Sequence, residues 1–271
     1  MPLSKKQIEK LLKGIHSGEI SVFNLPEDVF KYTFVELINS VDTGFGGSVT
    51  KFPKGSIRAI RAMDYRQNIL EFSGAKTFNN VKDLTLFVFK EDGTKRSFKE
   101  FREAALKIND QYNVNYLKTE QDTAFGMAQG SDKWMSIEED KEIFPMLKYE
   151  TAGDDRVRDE HRDWDQLMFP VDHEFWNTRM PPNSYNCRCI VTQHTEGKTS
   201  SLKERLESVN KERKVKELPL IKNLDNSDKM FSVNPGEVNY IFNKDAHPYF
   251  KVEKRFKPMM DDNFGFKMPE I

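Results

Sequence analysis

Apolar side chains recur at helical spacing through the first 130 residues, with short polar or glycine-containing breaks between the stripes. Ser4 and Gln7 have the spacing of a capping box, and the apolar positions that follow predict a short amphipathic helix ending near Ser17. A second apolar stripe from Phe30 to Val41 predicts another helix, because glycines that would terminate it follow directly.

The helical pattern continues through the middle of the chain. Residues 56–76 lack strong helix breakers, and the apolar run at 84–89 fits either a buried strand or the end of a helix, of which we prefer the helix. Ser97 and Glu100 form a second capping-box pattern that opens a further amphipathic stripe. Another helix is predicted through residues 117–129.

The pattern changes after Gly130, where aromatic residues, prolines and mixed charges replace helical periodicity. Residues 146–151 and 189–193 are predicted strands because they are short apolar runs that contain β-branched or aromatic side chains. A polar linker at 195–201 precedes a segment at 202–216 that is rich in Lys, Arg and Glu, which indicates an exposed helix.

The last fifty residues predict an arm that folds against the body of the chain or against a neighbour. They contain the turn-forming segments 234–236 and 247–250 and end in a stretch rich in Met and Pro. We therefore predict an α+β protein in three parts. A helical N-terminal region at 1–130 is followed by a small mixed α/β module at 131–195, and a basic helix with an extended C-terminal arm occupies 196–271.

Composition and charge narrow the class of protein. With 37% hydrophobic residues, 31% charged residues and 21 phenylalanines, the chain is typical of a globular protein with an aromatic core. Its 42 basic and 43 acidic residues exclude the strong overall positive field of a protein that coats nucleic acid. The N-terminal apolar spacing does not match a signal peptide, and no apolar run suggests a membrane span, so we expect no membrane partner.

Several short motifs follow one another between residues 149 and 189. In chain order they are Arg158 and His161, an acidic and aromatic loop at 172–176, Pro181 and Pro182 with Asn183, and the tripeptide Cys187, Arg188 and Cys189. Their order and spacing resemble the signature of the phage Mu F-like minor head proteins, most clearly over residues 143–193. Agreement of this many ordered elements is improbable by chance.

The resemblance implies a structural protein of a tailed-phage or prophage head, and not an enzyme. Such a protein acts in head morphogenesis near the portal protein and the major capsid protein, with packaged DNA as a further partner and no small-molecule substrate. The expected location is the virion, reached after assembly in the host cytoplasm. Relatives that carry toxin domains have longer C-terminal additions than the roughly 75 residues found here.

The two cysteines suggest local chemistry. In an extended strand Cys187 and Cys189 project to one face and Arg188 to the other, so both sulfurs can serve one centre. Zinc prefers sulfur and imidazole ligands, and His161 and His173 are the nearest candidates upstream. The interpretation is one structural zinc bound by two histidines and two cysteines.

A second interpretation of Cys187 and Cys189 is a pair of free, buried thiols packed as small hydrophobic groups. A disulfide between them is disfavoured, because residues two apart in a strand lie near the upper limit of about 6.8 Å for bridged Cα atoms. A reducing cytoplasm also opposes it. The metal and the free-thiol interpretations both stay open from the sequence.

Two other functions deserve comparison with the head-protein hypothesis. A nuclease or ADP-ribosyltransferase-like toxin would use Glu160, His161 and Arg158 as acid, base and anion stabiliser, although adjacent residues on a helix do not face one another.

The second of these functions is DNA contact through the basic stretch around Lys211, Arg213 and Lys214, although stretches of this composition are usually solvated helix faces. The motif arginines have a structural interpretation. Arg158 and Arg188 are expected to pair internally with the acidic residues nearby.

Overall fold

Helices dominate the computed structural model, which describes residues 3–269. In that range the α-helices are α1 (Lys5–Ser17), α2 (Glu27–Gly44), α3 (Ile57–Leu86), α4 (Phe98–Asp110), α5 (Leu117–Asp140), α6 (Asp159–Trp164), α7 (Trp176–Arg179), α8 (Leu202–Val215) and α9 (Lys257–Asp261). The strands β1 (Met146–Glu150), β2 (Met168–Pro170) and β3 (Ile190–His194) form an antiparallel sheet in the order β2-β1-β3. The predicted α+β class is confirmed. Within the described range, no helix combines the length and apolarity that crossing a membrane requires.

Both predicted capping boxes are present. Ser4 Oγ accepts the backbone N–H of Gln7 at 3.2 Å, and Gln7 Oε1 accepts the backbone N–H of Ser4 at 3.0 Å. Ser97 and Glu100 make the equivalent pair of bonds at 3.3 and 2.9 Å. These contacts satisfy N–H groups that a helix N-terminus leaves unpaired, which is why α1 and α4 begin where the sequence predicts.

The structure divides the ambiguous run at 84–89: α3 continues through Leu86 and is capped at Phe87, as predicted, whereas Phe89 forms an isolated antiparallel bridge with Lys95. The helix predicted at 117–129 is longer than expected and continues past Gly130 to Asp140. Its C-terminal half buries Trp134 and Ile137 three residues apart, so helical apolar spacing persists beneath the change in composition.

Helices α2, α3 and α5 enclose an aromatic core in the N-terminal part of the chain. Phe34, Tyr65 and Phe72 are fully buried there, with Met127 from α5. The segment that joins α4 to α5, Gln111–Tyr116, is a π-helical turn, so the two helices run on without a break. This core packs against one side of α5.

The C-terminal arm folds back onto the same core. Asn68 of α3 donates a hydrogen bond to the carbonyl of Phe242 at 3.1 Å and accepts the N–H groups of Ile241 and Phe242 at 3.0 and 2.8 Å. The Tyr65 hydroxyl donates to the carbonyl of Pro235 at 2.7 Å, and Phe242 stacks on Phe72 of α3 with ring centroids 3.7 Å apart. A buried asparagine with every one of these bonds made can hold an irregular segment that lacks a hydrogen-bonded ladder.

A second core lies between the sheet and the C-terminal half of α5. Tyr149, Trp164 and Trp176 are fully buried in it, together with Ile137 of α5. Helix α8 covers one side, where Arg205 donates to the carbonyl of Asp163 at 2.7 Å. The predicted boundaries at 130 and 195 stay predictions, but α5 belongs to both cores and α8 packs on the second one.

Gly130 permits a close approach between α5 and the Pro181–Pro182 loop. A methyl group at Gly130 would lie 2.5 Å from the carbonyl oxygen of Pro181, whereas one at Gly126 would lie 3.4 Å from Pro182 Cγ. Both glycines lie within α5 and have helical backbone. They differ mainly in how closely the Pro181–Pro182 loop approaches them. The loop therefore sits directly on the helix surface at Gly130.

We predict that Gly130→Ala lowers the free energy of unfolding by about 1–3 kcal/mol, because the added methyl group must displace backbone. Gly126→Ala is the matched control and should be neutral or slightly stabilising, since alanine is favoured over glycine in a helix by up to about 1 kcal/mol. Urea denaturation followed by circular dichroism measures both. Equal stability of the two variants would contradict the close contact.

Candidate functional site

Three sequence-predicted residues meet in the second core: His161, Cys187 and Cys189. Nδ1 of His161 lies 3.8 Å from Cys187 Sγ and 3.5 Å from Cys189 Sγ. The three potential ligand atoms all lie within 4.8 Å of one another. His161 and Cys189 are buried and Cys187 is partly exposed, so the cluster is close to the surface on one side only.

Helix α6 and its aromatic neighbour orient His161. The imidazole stacks on Trp164 with ring centroids 5.2 Å apart, and the Trp164 indole is anchored by donating to the carbonyl of Leu224 at 2.8 Å. Nε2 of His161 is buried and has no hydrogen-bond partner within residues 3–269. The polar contacts of the ring are therefore made by Nδ1, which is directed at the two sulfurs.

Both cysteines lie in the extended segment just before β3, which begins at Ile190 rather than at Cys189. Their sulfurs nevertheless reach the same imidazole nitrogen, as expected for residues two apart in extended backbone. Arg188 projects elsewhere and pairs with Asp154. Both thiols are free, so the disfavoured disulfide is not formed.

The Pro-Pro-Asn loop lies next to the cysteine segment. Pro181 and Pro182 are joined by a cis peptide bond, and Asn183 is completely buried. The Tyr149 hydroxyl donates to Asn183 Oδ1 at 2.9 Å, and the backbone of Asn183 helps to lower the pKa of the Cys187 thiol. Sequence reasoning missed Tyr149 as part of this site, since only the pairing of β1 with β3 brings it here.

The two thiols share their titration. Hydrogen bonding to Cys189, and also to His161, lowers the pKa of Cys187. The same contact with Cys187, together with burial, raises the pKa of Cys189. The pair thus loses a first proton readily and a second one with difficulty when no cation is nearby.

His173, the fourth member of the predicted metal set, is not part of this cluster. It lies in the turn after β2, where Nδ1 accepts the backbone N–H of Phe175 at 3.1 Å and the ring stacks on Phe169 with centroids 4.2 Å apart. The imidazole thus caps a turn and covers an aromatic side chain. The structure brings together three of the four residues expected to hold zinc.

The arginines of the motif make internal contacts. Arg188 forms a two-pronged pair with Asp154, with N–O distances of 2.8 and 2.6 Å. Arg158 donates to the carbonyl of Tyr185 at 2.8 Å, and Arg162 donates to the carbonyl of Asp155 at 3.0 Å. The bonds of Arg188 and Arg158 connect the loop before α6 to the segment before β3, and the bond of Arg162 connects α6 to the same loop.

The residues of the enzyme alternative do not converge. Glu160 accepts the backbone N–H and hydroxyl of Ser227 at 2.7 and 3.1 Å, while Arg158 is directed at Tyr185 and His161 at the sulfurs. A surface cavity of about 390 Å³ is lined by Glu160 and Asp163, but neither His161 nor Arg158 lines it. An acid, a base and an anion stabiliser that act on one substrate would have to face the same cavity.

The candidate DNA-binding residues lie near the end of α8. Lys211 and Lys214 are exposed, whereas the guanidinium of Arg213 donates to the carbonyl of Pro219 at 2.6 Å. Arg213 therefore holds the turn that follows α8. The exposed positive charge at this helix end comes from Lys211, Lys214 and the capping residue Lys216.

Comparison with known proteins identifies a related family over part of the chain. A family model described as "Phage Mu protein F like protein" matches residues 94–192, from just before α4 to within β3. The match includes the Arg-x-x-His motif, the Pro-Pro-Asn loop and the Cys-Arg-Cys tripeptide. The predicted resemblance is confirmed over residues 94–192, and the match begins further upstream than residue 143.

A particular phage protein is similar to part of the chain. The "Putative capsid assembly protein F" of Escherichia phage Mu is 34% identical over 64 residues, which are 24% of this chain and 15% of the phage protein. The chain therefore matches well under two thirds of that relative's length. No solved structure matches the chain significantly.

The Arg188–Asp154 pair makes a pH-dependent prediction. The hydrogen bonds from Arg188 hold the pKa of Asp154 well below its usual range. A depressed folded-state pKa stabilises the fold above the unfolded pKa of about 3.9, and this contribution is lost as pH falls through the lower folded value. We expect Arg188→Ala to return the Asp154 pKa toward about 3.9, as measured by NMR titration of its carboxyl carbon.

Arg156→Ala is the matched control, because Arg156 Nη2 lies 3.5 Å from the same carboxylate. It should shift the Asp154 pKa less, since its backbone N–H still donates to Asp154 after the change. A larger shift in Arg156→Ala than in Arg188→Ala would show that the two-pronged pair does not dominate.

Proposed function

We propose that this chain is a minor head protein that acts in head morphogenesis of a tailed phage or prophage. The observation that carries the proposal is the Mu F-like match over residues 94–192, which includes every residue of the motif set. The name of the phage Mu relative, a putative capsid assembly protein, supports the same class of function. The role of the whole chain is a proposal because the similarity covers only part of it.

The geometry of the motif supports a shape-holding role. Arg158 and Arg188 bridge loops, Glu160 anchors Ser227, and the Pro181–Pro182 loop packs on α5. Side chains that satisfy one another inside a module stabilise a surface for assembly, whereas catalysis needs groups free to meet a substrate. The proposal therefore includes no catalytic step and no small-molecule substrate.

The proposed partners are the portal protein and the major capsid protein. The chain would assemble with them in the host cytoplasm and remain in the virion. Low-copy components of this kind are identified by their presence in purified particles rather than by any activity.

We expect the protein to co-purify with proheads or mature heads, and to be cross-linked to portal or capsid protein in them. Quantitative mass spectrometry of particles from an induced prophage measures this, with a non-virion protein of the same prophage as the contamination control. Absence from both proheads and mature heads would contradict the proposal. Turnover of RNA, DNA or NAD that His161→Ala abolishes would favour the enzyme alternative instead.

Packaged DNA is the further partner that we propose, through α8. We expect salt-sensitive retention of DNA that is weakened in the double charge reversal Lys211→Glu with Lys214→Glu, because both lysines are exposed cations near the end of α8. If both contact phosphates, the slope of log affinity against log salt should fall by about 2. Binding assays across a salt series measure it.

The matched control for the DNA prediction is Lys5→Glu with Lys6→Glu, which changes the net charge equally on the exposed face of α1. This control should retain the salt slope of the unmodified protein. No retention of DNA at low salt, or equal loss in both double variants, would exclude a specific contribution of α8.

A further inference from the structure

We infer that His161, Cys187 and Cys189 bind one zinc ion with three protein ligands, and that this ion fastens α6 to the segment before β3. The inference is independent of the proposed role in the head, because it concerns only whether the folded chain binds a metal ion. It also differs from the set of two histidines and two cysteines that the sequence suggests, since His173 takes no part.

The spacing of the donor atoms fits a single ion. Zinc–sulfur bonds of about 2.3 Å and zinc–nitrogen bonds of about 2.0–2.1 Å in a tetrahedron place nitrogen and sulfur ligands about 3.5 Å apart. The observed separations from His161 Nδ1 are 3.5 Å to Cys189 Sγ and 3.8 Å to Cys187 Sγ. An ion can therefore be accommodated between the three atoms with only small side-chain adjustments.

The chemistry of the donors selects the metal. Two sulfurs and one imidazole are soft or borderline ligands that suit zinc, whereas magnesium and calcium prefer oxygen. Within residues 3–269, no further His, Cys, Asp or Glu joins the three in a common group. The fourth tetrahedral position is then left to solvent or another exchangeable ligand, on the side where Cys187 is partly exposed.

The surroundings of the sulfurs support coordination. Both sulfurs lie beside the same imidazole nitrogen, and Cys189 is buried within the second core. The His161 ring is held by Trp164, so the nitrogen that would bind the ion has a fixed direction.

The position of the cluster explains what the ion would contribute. His161 is 26 residues from Cys187 and 28 from Cys189, and the cysteine segment lies outside the regular strand. A metal bond between such segments replaces hydrogen bonds that irregular backbone does not make and favours the folded over the unfolded chain. The expected role is structural, in a module whose sheet has short strands.

Metal analysis of the untagged full chain, purified without chelator, tests the inference, and we expect about one zinc per chain. After removal of the metal under reducing conditions, cobalt should bind and give the intense absorption of tetrahedral coordination with a sulfur-to-cobalt charge-transfer band. Cys187→Ser, Cys189→Ser and His161→Gln should each lose the metal. His173→Gln is the matched control and should retain it.

Absence of zinc together with failure of the reduced, folded chain to take up cobalt would overturn the inference, with circular dichroism verifying the fold. That outcome would favour two free thiols hydrogen-bonded to an imidazole. Loss of metal in His173→Gln would also overturn the three-ligand assignment. The cobalt titration of the unmodified chain keeps the test decisive if a cysteine variant does not fold, and particle incorporation is a separate readout for the role in the head.

Discussion

The close contact between Gly130 of α5 and the Pro181–Pro182 loop is the constraint on which the arrangement of the second core depends. Helix α5 contributes Met127 to the helical core and Ile137 to the second core, so it fixes one relative to the other. The loop that rests on it carries Asn183. The side chain of Asn183 accepts the Tyr149 hydroxyl, and its backbone lies close to the Cys187 sulfur. The position of the His-Cys-Cys cluster is thus set by helix packing and not by the cysteine segment alone.

In the module that contains the sheet, polar side chains connect segments that backbone hydrogen bonds between long strands connect in larger sheets. Its strands are three to five residues long, which leaves much of the backbone between them without a ladder. Arg158 and Arg188 connect the loops across that gap, and Trp164 ties α6 to the carbonyl of Leu224. Charged and aromatic residues that resemble a catalytic set in the sequence thus make hydrogen bonds within the chain.

The segments after the sheet are structural parts of both cores. Helix α8 covers the module through Arg205, and the arm then returns to α3, where Asn68 and Tyr65 bind its backbone. The chain consequently leaves the helical core, builds the module and comes back. Contacts between residues about 170 positions apart close this path, as in the bond from Tyr65 to Pro235.

The sequence by itself determined the features that depend on neighbouring residues. Apolar periodicity and capping boxes located α1, α2 and α4, and charge-rich composition located α8. The spacing of His161, Cys187 and Cys189 marked the motif, because side-chain direction in helices and extended segments follows local geometry. Only the tertiary structure decided that α5 runs past Gly130, that Asp154 pairs with Arg188, that Tyr149 lies at the site and that His173 does not. Those outcomes depend on which distant surfaces pack together, and burial and steric fit between segments, rather than any local pattern, select them.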